Sequence, residues 1–378
     1  VTEHNIRHEI AHLARVELVT PDPDGTLWFF KELLGMYETS REAQSVYLRG
    51  YEDPYPWSLK VTEGPQPRLG HAALRASSPE ALERRYRAIK DGNLDHQWLD
   101  GDHGYGKTLR FTSPDGHDLR LLWEAEKYQA PPELRSKILT RPSKKPLKGI
   151  PVKRIDHLNL LANDVTPVKE SLERYLGFET RERVVEGDVE FGAWLSTNIL
   201  GHEVAIMRDN LGAHGRLHHA AFFYGIQQHN IDAAEMFREY DITIEAGPDR
   251  HGITQGAFLY VFEPGGNRIE LFGGPGSFNW NPTTRPEPGR CRTSTPASPS
   301  AAPNCRGRPT SPTAPRRSGL WPTRWRTPPN RRSLRRPPRP WPPPSPDLAA
   351  RPARVRLRWQ ARPPGHTSGL ASKGGCLT

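Results

Sequence analysis

The chain has 378 residues, with 53 Lys and Arg against 43 Asp and Glu, a balance that on average suggests a basic, nucleic-acid-binding protein. The average conceals a division: residues 281–378 hold 20 of the basic groups against only Glu287 and Asp347, so an acidic body of net −8 (33 basic, 41 acidic) carries a tail of net +18. All three cysteines lie in that tail, which excludes a disulfide framework or thiolate metal site from the body, and no apolar run approaches membrane-spanning length; a soluble, cytoplasmic body is expected, with no membrane partner.

In chain order, the first periodic segment is LARVELVTPDPDGTLWFFKELLGMYETSRE (13–42), a strand followed by a helix and a further strand. LGHAALRASSPEALERRYRAI (69–89) repeats strand then helix, and KTLRFTSPDGHDLRLLWE (107–124) reads as two strands around a Pro-Asp-Gly turn. The next stretch, 126–152, is basic and proline-containing, as interdomain connections often are. After it the pattern recurs in the same order. RIDHLNLLANDVTPVKESLERYLGFETRE (154–182) parallels the first segment, LHHAAFFYGIQQHNIDAAEMFREY (217–240) the second and GAFLYVFEPGGNRIELFG (256–273) the third. Val168, Leu172, Tyr175 and Leu176 recur at helical spacing after the turn-prone Asn163 and Asp164, whereas Ala257, Leu259 and Val261 alternate as on a strand. The fold class is therefore α+β with mostly antiparallel sheets, built from two copies of one module: residues 1–125, a linker at 126–152 and residues 153–280. Residues 281–378 carry 22 of the 39 prolines and cannot bury enough apolar surface to offset ordering entropy, so a disordered tail is expected.

Chemistry-bearing residues gather in the second copy. His157 stands on its first strand, His218 and His219 on a later one, and Glu270 between Ile269 and Leu271 on its last. Neighbouring side chains on a strand point to opposite faces, so only one of His218 and His219 is expected to face a given cavity. Two imidazoles and a carboxylate from three strands can cover one face of a metal and leave three positions open, the arrangement suited to non-haem iron and oxygen. Any one of these residues alone is more often structural than ligating. The first copy supplies a control: it offers Arg15, His71 and Arg120 at the matching positions, and two cations around one imidazole cannot hold a divalent ion. It is read as a scaffold.

The stretch HGITQGAFLYVFEPGGNRIELFGG (251–274), with GPDRHG, GRLHHAAF and IDHLNL, resembles the type I extradiol ring-cleavage dioxygenases of the vicinal oxygen chelate superfamily, most closely the catechol 2,3-dioxygenase group, over about residues 10–275. The resemblance implies tandem modules of paired βαβββ units and O2-dependent meta cleavage of catechol or alkylcatechols to 2-hydroxymuconate semialdehyde-type products. It implies His157, His219 and Glu270 as ligands of Fe(II), for which Mn(II) can substitute. His202 matches the active-site histidine that handles the substrate proton and oxygen, and His251 and Tyr260 match the acid and the hydrogen-bond donor behind the ligands. Trp194, Asn159 and Thr254 are expected to line the substrate pocket. The implied partners are a catechol and O2, in a homo-oligomer that by resemblance is a tetramer. The same fold hosts glyoxalase-like isomerases and transferases and small-molecule binding proteins, which stay open as alternatives. Relatives end soon after the second module; the Pro/Arg-rich ending here reads as the product of a frameshift near 280–285, and nucleic acid is not expected as a partner.

Overall fold

The computed structural model describes residues 8–209, 211–274 and 288–290. Four βαβββ units follow one another, two in each half, bearing out the expected tandem architecture. The first comprises β1 (Ile10–Thr20), α1 (Pro23–Trp28), β2 (Tyr37–Glu42), β3 (Ser45–Arg49) and β4 (Leu59–Glu63). The second comprises β5 (Arg68–Ala76), α2 (Pro79–Asp91), β6 (His96–Leu99), β7 (Thr108–Thr112) and β8 (Asp118–Leu122). The second half repeats them as β9 (Arg154–Ala162), α3 (Val165–Ser171), β10 (Glu179–Glu186), β11 (Val189–Ser196), β12 (Val204–Arg208), then β13 (Arg216–Phe223), α4 (Gln227–Glu239), β14 (Thr243–Arg250), β15 (Ala257–Phe262) and β16 (Arg268–Phe272). A short strand, β17 (Pro288–Arg290), pairs in parallel with β10. It falls inside the stretch expected to lack structure; the remainder of that expectation, and the cysteines, lie outside the described residues.

Local chemistry accounts for the elements. Asp164 caps α3, its carboxylate accepting from Thr166 N at 3.2 Å, and Val168, Leu172 and Leu176 bury the helical stripe read from the sequence. Both α1 and α3 continue into a π-helical turn, Phe29–Leu33 and Leu172–Leu176, so the repeat extends to this detail. Each half forms one mixed sheet, ordered β2-β3-β4-β1-β5-β8-β7-β6 and β14-β15-β16-β13-β9-β12-β11-β10-β17. The helices cover the outer faces, leaving an inner face around each central antiparallel pair, β1·β5 or β9·β13. The apolar core runs through both halves, with Phe29 stacked on Phe237 at 5.7 Å and Phe30 edge-on to Phe222 at 5.5 Å.

Reciprocal contacts join the halves. Glu263, buried in the Pro-Gly-Gly turn between β15 and β16, accepts from Thr26 Oγ1 at 2.5 Å, from Gly265 N at 2.7 Å and from Asn267 N at 2.9 Å. Asn267 donates across to Val19 O at 3.1 Å. The matching turn of the first half sends Asp115 to Asn163 N and Nδ2, both at 3.1 Å, and His117 Nε2 to Leu161 O at 3.0 Å. A Cβ on Gly265 would lie 1.9 Å from Thr20 Oγ1, so only glycine lets the turn approach this closely.

In the first half, His71 donates from Nδ1 to Glu17 Oε2 at 2.8 Å, and burial pushes its pKa down to about 4. The unfolded chain therefore binds a proton at this site between pH 6.5 and 4 that the folded chain refuses. Stability rises with pH across that window and falls by about 3 kcal/mol as the pH drops through it. His71→Gln is expected to lessen the fall of the melting temperature between pH 6.5 and 4 by the share of this one proton, the other buried histidines held low, His12 and His219, keeping theirs; a variant with the parent slope removes His71 as a contributor.

Candidate active site

The site is set by two β-bulges. Along β9·β13 the register runs from Leu158↔Ala220 to Ile155↔Phe222, with two intervening residues on one strand against one on the other, so Asp156 and His157 together face Ala221. It also runs from Leu217↔Leu160 to His219↔Asn159, so His218 and His219 together face Asn159. Strict alternation, which allowed one histidine of the pair on the inner face, is thereby corrected: the His218 and His219 rings are 4.9 Å apart, both beside Tyr260, and their Nδ1 atoms share a hydrogen bond at 2.7 Å. The bulged pairing recurs in the first half, where Ala14 and Arg15 oppose Ala73 and Gly70 and His71 oppose Glu17.

On this inner face His157 Nε2 lies 2.8 Å and His219 Nε2 2.9 Å from the same oxygen of Glu270, Oε2, and the two nitrogens lie 3.4 Å apart. Donors bound at right angles about 2.1 Å from a common ion sit about 3.0 Å apart, so the trio fits one divalent cation. The other carboxylate oxygen, Oε1, is held by His251 Nε2 at 3.0 Å, which leaves Oε2 as the oxygen turned toward the two imidazoles. Nδ1 of His157 is engaged by Asp156 Oδ2 at 2.9 Å, turning Nε2 toward the site.

Burial and charge set the protonation states. Burial alone would raise Glu270, but the imidazoles of His157 and His219 hold it well below the usual carboxylate range. Burial presses His219 down to about 4, whereas at His157 the Glu270 and Asp156 carboxylates outweigh burial and hold the ring up to about 9. His202, in the β11–β12 connection and 8 % exposed, is kept neutral by burial and by the charge of His157, whose ring centroid is 4.1 Å away. Tyr260, directly opposite Glu270 on β15, is raised well above 10 by burial and that carboxylate, so its phenol stays protonated. Its Oη lies 3.3 Å from His251 Nε2, and the His251 ring stacks on Phe258 at 3.9 Å.

A cavity of about 200 Å³ opens beside these groups, walled by Leu200, Phe223 and Phe272 and bordered by His202, Thr254, Arg154 and Asp156. Thr254, held at φ +59° with its N–H on Glu182 Oε1 at 2.9 Å, is where the sequence placed it. Trp194 and Asn159 are not among the residues lining this cavity; they share its face of the sheet, in the row Trp194, Ala205, Asn159, His219. Sequence reasoning missed Arg154, Asp156, Phe258 and Phe272. The Asp-His dipeptide was visible, but without the bulge the aspartate would point away.

In the first half, Arg15, Ala73 and Arg120 form the row that corresponds to His157, Ala221 and Glu270. The Arg15 guanidinium, 1 % exposed, fills the site between the rings of Trp57 (4.6 Å) and Tyr105 (4.3 Å).

Comparison with known proteins agrees with this picture. Residues 154–271 match the Glyoxalase/Bleomycin resistance protein/Dioxygenase superfamily. The chain is 44% identical over 278 residues to a metapyrocatechase of Geobacillus stearothermophilus, covering 74% of this chain and 85% of that one. It is 36% identical over 272 residues to a manganese-dependent 2,3-dihydroxybiphenyl 1,2-dioxygenase of Geobacillus genomosp. 3, covering 70% and 86%. Among solved structures, the 2,3-dioxygenase LapB from Pseudomonas sp. KL28 superposes with a TM-score of 0.69 at 23% identity, covering 75% of this chain and 98% of that one.

Proposed function

The chain belongs to the extradiol dioxygenases of the Glyoxalase/Bleomycin resistance protein/Dioxygenase superfamily, and from that premise we propose that it cleaves catechol or alkylcatechols with Fe(II) held by His157, His219 and Glu270. The observation that carries this reading is the convergence of the three donor atoms on one point beside a cavity bordered by the neutral His202.

A divalent ion held by His157, His219 and Glu270 would supply Lewis acidity toward the diol and O2. The residues do the rest. A cavity of about 150 Å³ accommodates benzene, so this one has room for a single catechol ring against Phe223 and Phe272. His202, neutral near pH 7, accepts a proton from the diol at a ring nitrogen. His251, on the opposite side of Glu270, returns a proton to the oxygen released as the ring opens. Tyr260, fixed as a phenol, donates a hydrogen bond to a substrate oxygen. The carbon–carbon bond beside the diol breaks and both atoms of O2 enter the product, so that catechol and a single dioxygen become one 2-hydroxymuconate semialdehyde with no atom left over. Mn(II) accepts the same donor set, and one relative is named as manganese-dependent.

Anaerobic loading with Fe(II), addition of catechol and admission of oxygen are expected to give one O2 consumed per yellow semialdehyde formed. Metal binding without O2 uptake or product, with catechol and with methylcatechols, sinks the reading.

A further inference from the structure

The bulge at Asp156 does more than bring His157 onto the inner face. Asp156 has a side chain only 7 % exposed, and its two oxygens have separate partners: Oδ2 takes His157 Nδ1 at 2.9 Å and Oδ1 takes Arg154 Nη1 at 2.8 Å. Arg154 also donates to Ile155 O at 2.9 Å, and its guanidinium lies 4.4 Å over the Phe223 ring at the cavity border. The first half holds the same bulge with Ala14 in place of Asp156 and with no ligand set, so the geometry of the strand does not by itself require a carboxylate there.

We infer that Asp156 is a positioning residue with two effects: it fixes the tautomer and ring orientation of the metal ligand His157, and it neutralises Arg154 so that the cavity does not attract a carboxylate-bearing catechol. The first effect follows from geometry, because a histidine whose Nδ1–H is held by an anion presents a more basic Nε2 to a cation. The second follows from charge. Among the residues lining the cavity, Arg154 is the lone permanent cation, and pairing with Asp156 leaves no net charge at its border. The inference rests on the metal-site reading above.

The full chain and its Asp156→Ala, Asp156→Asn and His157→Ala variants are titrated with Mn(II), free ion being followed by its EPR signal. The parent chain is expected to bind one ion and His157→Ala to lose it; a parent that binds none, or a His157→Ala variant that binds normally, overturns the metal-site reading itself. With those controls in order, Asp156→Ala is expected to weaken Mn(II) about 10- to 100-fold. Asp156→Asn, which still accepts a hydrogen bond but carries no charge, should fall between it and the parent. Parent affinity in both folded variants overturns the inference, and if Asp156→Ala does not fold, Asp156→Asn alone decides. Metal-saturated Asp156→Asn should also shift the kcat/KM ratio of 3,4-dihydroxybenzoate to catechol upward about tenfold, as an unmasked guanidinium accepts the carboxylate. A loss of packing alone would not raise that ratio, and an unchanged ratio removes the masking role.

Discussion

Glu270→Ala is expected to strip the protein of tightly bound metal and to lower turnover of catechol by about a thousandfold or more, the loss of several kcal/mol of Lewis-acid stabilisation. Glu270 is the hub of the site: one oxygen gathers His157 and His219, and the other holds His251. Removing it leaves two buried imidazoles without the anion that draws them together, and releases His251 from its position beside the phenol of Tyr260. Glu270→Gln keeps the volume and separates charge from packing. If charge is what matters, it should lose metal nearly as completely as Glu270→Ala. Elemental analysis after dialysis, paired with an oxygen electrode, decides the matter; stoichiometric metal and parent turnover in either variant would contradict the assignment.

His202→Phe is expected to behave in the opposite way toward the metal. His202 is within ring contact of His157 but is not one of the three converging donors, so metal stoichiometry should match that of the parent chain. What should fall is kcat, by about 10²- to 10⁴-fold, the range associated with losing a positioned proton acceptor. A parent kcat would return His202 to the role of a packed histidine, which its 8 % exposure also accommodates.

The duplication and the α+β class were legible because each rests on spacing within the chain or on comparison of its two copies, whereas the choice of His157, His219 and Glu270 as ligands came from the resemblance to extradiol dioxygenases. The contrast between Arg15 with Arg120 and His157 with Glu270 needed no coordinates, and the structure sets those residues in equivalent rows. What could not be read was anything that depends on an inserted residue in a strand. A bulge leaves the hydrophobic alternation nearly intact while moving one side chain across the sheet. That is why His218 was expected to face away from His219, and why Asp156, directly before His157, gave no signal of its own. Pocket walls escaped for a related reason: Phe223 and Phe272 look like ordinary strand-end aromatics until β13 and β16 lie side by side. Trp194 and Asn159, expected to line the pocket, lie in one row of the sheet with His219 but outside the lining of the cavity.

The paired turns between the halves have the form of a two-fold contact between identical molecules. The carboxylate of one turn, Glu263, reaches Thr26 in α1, and the carboxylate of the other, Asp115, reaches Asn163 just after β9. In a symmetric dimer the same residue would make the same contact twice; here two residues of one chain share that task with different chemistry, glutamate to threonine and aspartate to asparagine. The seam thus keeps an approximate symmetry that the paired inner faces lack, since covalent fusion lets each side of such a contact carry its own residues: Arg15 stands in one half where His157 stands in the other.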